Sequence, residues 1–94
     1  MPWSTDPLEL ELPRLLAIRK LSLRQVATEV GVSAGHLSRV ARGQKTAQAK
    51  LLERLAARLN VDPDHFPEYR ALVVCEHVRR DAELRDRLYR ELSD

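Results

Sequence analysis

Arg39 and Arg42 stand three residues apart, and the stretch leading to them, Ser33-Ala34-Gly35-His36, is short and nearly bare of bulk. A guanidinium presents a planar fork of donors that fits a guanine edge or a phosphate two bonds at a time. Small side chains beside it let a backbone come close to a large partner. The chemistry these residues offer is therefore recognition of an anion or of a base edge.

For the two arginines to act together they must share a helix face. Leu37, Val40 and Ala41 recur at helical spacing and form the inner side, which leaves Ala34, Gly35, Ser38, Arg39 and Arg42 outside. Ser33 is the expected N-cap and Gly43 the stop. Upstream, Ser22 with Gln25 reads as a capping box, Val26, Ala27 and Val30 make an inner face, and Gly31 ends that helix. Two short helices across a glycine turn are the geometry of a helix-turn-helix corner, whose second helix offers its free N–H groups to a phosphate.

The remaining periodicity is also helical. A first helix is predicted over about 13–20, with Pro13 at its start and Leu15, Leu16 and Ile18 apolar. A fourth is predicted over 47–59, with Thr46 as N-cap, Leu51, Leu55 and Leu59 every four residues, and Asn60 closing it. The turn at 61–66 ends in Phe66, the one phenylalanine, expected to plug the core. A fifth helix opens near Pro67, and Asp81 caps a last one carrying Leu84, Leu88 and Leu92. The fold class is all-α, with an N-terminal arm (1–12), a helix-turn-helix domain (13–66) and C-terminal helices (67–94). Within the arm, Leu8–Leu12 reads either as a short strand by its alternation or as a loop or helical turn opened by Asp6-Pro7.

Ninety-four residues suit one small domain. The net charge of +2 conceals an asymmetry: residues 14–58 carry ten Lys/Arg and two acids, whereas both ends are acidic by three charges each. A basic middle between acidic ends points to a polyanion partner. The opening residues are acidic and lack the apolar stretch of a signal peptide, so a cytoplasmic protein is expected. Cys75 is the only cysteine, flanked by valines, and is expected to be buried and inert. Cys75 and His77 point to different helix faces and cannot chelate one metal; His65 and His77 read as surface or core histidines. No serine–histidine–acid cluster, phosphate-cradling glycine loop, metal set or cofactor motif is legible, so neither catalysis nor a cofactor or small-molecule effector is expected.

Residues 21–66 resemble the Xre/Cro-type, lambda-repressor-like helix-turn-helix domain of bacterial and phage repressors. The matching marks are Leu21-Ser22, Ala27, Gly31-Val32-Ser33, Leu37-Ser38-Arg39-Val40, Arg42-Gly43, Leu52, Leu55-Ala56, Leu59 and Val61, at the family's spacings without a gap. The resemblance implies a five-helix fold whose third helix enters the major groove of double-stranded DNA, and a transcriptional regulator of the repressor kind. It places Ser33, Ala34, Gly35, Ser38 and Arg39 toward bases or nearby backbone, and Lys45 on phosphate. His36 either donates to a phosphate or sits in solvent. Where the family often carries a phosphate-holding glutamine, this chain has Leu23, so that contact is missing or passes to Arg24. Leu16 stands where arginine is common.

The C-terminal helices are more apolar than they need to be to pair with each other, and such regulators usually bind two-fold sites as dimers. A homodimer is therefore expected, with Trp3, Leu8 and Leu10 of the arm and Leu84, Leu88 and Tyr89 of the last helix as candidate contacts. The alternative is an antitoxin or adaptor that uses the same helical fold to grip a protein partner.

Overall fold

The structure, a computed structural model, describes residues 3–94. It holds six α-helices: α1 (Leu8–Arg19), α2 (Leu23–Val30), α3 (Ala34–Ala41), α4 (Ala49–Leu59), α5 (Pro67–Arg80) and α6 (Ala82–Ser93), with a 3-10 turn at Pro63–His65. No strand occurs among the described residues.

The helix ends follow local chemistry. Ser22 Oγ accepts from the Gln25 N–H at 3.0 Å, Ser33 Oγ from the His36 N–H at 3.0 Å, and Asp81 Oδ1 from the Leu84 N–H at 3.0 Å. Gly31 and Asn60 end α2 and α4 in the left-handed region, at φ 86° and 59°. Helix α4 starts at Ala49 with Gln48 as N-cap, so Thr46 is not the cap. Ala47 turns partly into the core, and the chain stays extended through Gln48 before the helix begins.

Helix α1 begins five residues earlier than expected and runs straight through Pro13. Neither a strand nor a loop forms over Leu8–Leu12. The helical opening at Asp6-Pro7 does: the Pro7 carbonyl accepts from the Leu10 and Glu11 N–H groups. An interior proline removes one backbone bond and crowds the preceding turn. That cost is offset because Leu8, Leu12, Leu15 and Leu16 all enter the core. Leu8 has no exposed surface, which removes it as a contact between subunits. Leu10 and Trp3 stay exposed.

These leucines meet Val26, Ala27, Val30, Leu37, Val40, Leu52, Leu55, Ala56, Leu59 and Phe66 in one core, closed by Phe66 as expected. The N-terminal segment is clipped to the start of α5. Ser4 N–H donates to the His65 carbonyl at 3.0 Å, Arg70 donates to the Ser4 carbonyl at 2.8 Å, and Glu68 Oε2 accepts from the Leu8 N–H at 2.8 Å. Arg70 also lies over the Trp3 ring, 5.1 Å from its centroid.

Helix α5 packs on the core through Tyr69 and Leu72 and then leaves it; no residue of α5 or α6 is buried. Cys75 is consequently exposed, not buried, because its turn of α5 already lies beyond the core. The departure lengthens the molecule to 46 × 28 × 20 Å with a Cα radius of gyration of 15.2 Å. A compact domain of this length would have about 12 Å.

Candidate nucleic-acid interface

The site is built on α3. Leu37 and Val40 are buried and fix the helix's roll, so the opposite face is turned to solvent. Gly35, Arg39 and Arg42 are exposed; Ala34, His36 and Ser38 are half-exposed; Ser33 is exposed at the cap. The expected reading face thus exists as one surface. Two glycines with left-handed backbone bound it, Gly31 at φ 86° before the helix and Gly43 at φ 77° after it, conformations a side chain would strain.

The arginines are held differently. Arg39 folds back along the helix toward its N-terminus, and its Nη1 lies 3.4 Å from where a Cβ on Gly35 would sit. The bareness of Gly35 leaves that route open, a pairing four residues apart that the sequence carried without advertising. Arg42 Nε donates to the Ser38 carbonyl at 3.4 Å. Arg42 and Ser38 line a largely apolar hollow of about 410 Å³ with Leu23, so the start of α2, where Arg24 is exposed, abuts the end of α3. Lys45 is exposed in the loop that follows, whose Gln44 and Lys45 N–H groups donate to the Arg39 carbonyl.

Two cations escaped the residue-by-residue reading. Lys50 and Arg54, from the first turns of α4, line one cleft of about 260 Å³ with His36. Arg54 Nη1 lies 3.9 Å from the Cβ position of Gly31, at the turn between α2 and α3. Their spacing of four on α4 and their place in the basic middle of the chain were the available signal. Arg58, one turn further, is spent on Glu29 at 2.6 Å across to α2 and braces the corner.

The other titratable groups lie elsewhere. Glu11 is 2% exposed, hydrogen-bonded to Arg14, and 3.2 Å from His65 Nε2. Burial pushes its carboxyl up, but the Arg14 and Ser4 hydrogen bonds and the charges of Arg14 and His65 outweigh this and hold it below its ordinary 4.5. His77 is exposed on α5.

Two helices joined at a tight glycine turn, the second held by its apolar side and presenting cations outward, define a helix-turn-helix protein. The family model described as helix-turn-helix matches residues 14–66. The chain belongs to this family, Xre- and lambda-repressor-like, whose domain is a DNA-binding one. Neither the curated proteins nor the solved structures contain a match to it. Among the described residues no helix is long and apolar enough to cross a membrane.

Proposed function

We propose that this protein is a sequence-specific regulator of transcription that binds duplex DNA through α3 in the major groove, acts in the cytoplasm as a repressor, and works as a homodimer. The observation that carries this reading is the outward face of α3, where Arg39 and Arg42 are exposed to solvent. Arg39 takes a guanine edge, the commonest specific contact in the major groove. Ser33, Ala34, Gly35 and Ser38 allow close approach, with the Ala34 methyl available to thymine. Arg24, Arg42 and Lys45 hold phosphates on one side of the helix. His36, with Lys50 and Arg54, holds them on the other. Repression follows from occupancy: a domain seated in the groove at a promoter excludes other proteins from it.

Selection of bound sequences from a random duplex pool, followed by gel-shift titration, tests the reading. The expected product is a two-fold symmetric site with half-sites about one helical turn apart. No enrichment, together with no duplex affinity in dilute buffer, would overturn it.

A further inference from the structure

The geometry points to α6 as the surface through which two copies of this chain pair, antiparallel, about a two-fold axis between residues 86 and 87. The inference rests on the homodimer part of the reading above and is independent of its DNA part.

Glu83, Asp86, Arg87 and Arg90 sit at i, i+3, i+4 and i+7, so they share one face of α6. Along that face the charges run acid, acid, base, base. All four side chains are exposed. Glu83, Arg87 and Arg90 make no ion pair among the described residues, and Asp86 is met only from the flank by Arg85 at 3.0 Å. Glu76 on α5 behaves otherwise: it is already engaged by Arg80 at 2.9 Å and Arg79 at 3.8 Å.

With Tyr89, the same four side chains border an open surface of α6 that no other element covers among the described residues. Tyr89 is 71% exposed, a ring left in water beside this face.

An antiparallel second copy of α6 satisfies this face. The axis between 86 and 87 sets Glu83 against the partner's Arg90 and Asp86 against the partner's Arg87, each twice by symmetry. A parallel copy would set every charge against its like. Self-complementarity under a two-fold rotation is what an isologous interface requires. DNA does not fit the face, because its acidic half would repel phosphate. No residue of α6 joins the core that holds α3, so pairing through α6 draws on none of the packing that fixes α3.

The test uses two charge-swapped forms of the full chain, Glu83→Arg/Asp86→Arg and Arg87→Glu/Arg90→Glu. Circular dichroism and thermal melting verify that each folds like the wild type. Sedimentation velocity and native mass spectrometry at tens of micromolar, without DNA, then read association. The wild type is expected to dimerise, more weakly as salt rises. Each variant alone should self-associate roughly tenfold more weakly or worse. An equimolar mixture should recover a dimer made of one of each. A monomeric wild type, dimers in both variants alone, a wild-type dimer indifferent to salt, or a mixture that stays monomeric would each overturn the proposal. A protein that dimerises as described yet ignores DNA would leave this interface standing and remove the DNA reading instead.

Discussion

Charged residues divide by what their environment lets them do. Arg39 is exposed, and its guanidinium reaches back over the bare Gly35, so its freedom to swing outward costs no packing. Arg39→Ala is expected to weaken binding to the selected site by about 1–3 kcal/mol and to relax choice at one base pair, with little change on random DNA. Titrations against both duplexes check this. Glu11 is the opposite case, a carboxylate inside the fold whose charged form is favoured by Arg14, Ser4 and His65. Its pKa in the folded chain is below 4.5, so it stabilises the fold above that pH, and the contribution disappears as pH falls through the folded value. Urea melts between pH 6 and pH 3 are expected to show this loss. In Glu11→Gln that part of the acid limb should be flattened, with stability lower at pH 6.

At the scale of elements, α3 is short and depends on its ends. Ser33 supplies the one side-chain cap at its start. Ser33→Ala is expected to cost about 1 kcal/mol by thermal melting and to weaken DNA binding by blurring the helix's first turn. Leu8→Ala should cost more, about 2–5 kcal/mol, because it empties a fully buried site in the core. The capped helices were legible in the sequence because Ser22, Ser33, Asp81, Gly31 and Asn60 act on their own neighbours. What was illegible depended on distant packing. Pro13 argues for a helix start on local grounds, yet the four leucines of α1 find the core on either side of it. Thr46 is a good cap by type, but the anchoring of Ala47 moves the helix start past it. Cys75 has apolar neighbours in sequence, but burial is decided by how far α5 follows the core. The outward face of α3 was readable because its inner face was, whereas Lys50 and Arg54 join the site only through the way α4 crosses the turn after α2.

Over the whole molecule the charge pattern becomes a spatial one. The basic stretch 14–58 folds into the body that holds α2, α3 and α4, while α5 and α6 are close to charge balance and the acidic surplus of the C-terminal third sits at Asp62, Asp64, Asp81 and Asp94, outside both helices. The cationic charge is thus concentrated on the body that carries α3. Binding to any duplex should fall steeply with salt, since each neutralised phosphate releases counterions. Within that total, Lys45 and Arg39 separate. Lys45 lies exposed in the loop past α3, where a contact to phosphate would carry no sequence information. Lys45→Ala is expected to weaken selected and random duplexes by the same factor and to lower the slope of log affinity against log salt by about 1. Arg39→Ala should leave most of that slope in place while closing the gap between the two duplexes. Titrations at four salt concentrations on both duplexes resolve the two behaviours. Equal losses on both duplexes from both variants would mean that α3 touches only backbone and that sequence is read elsewhere.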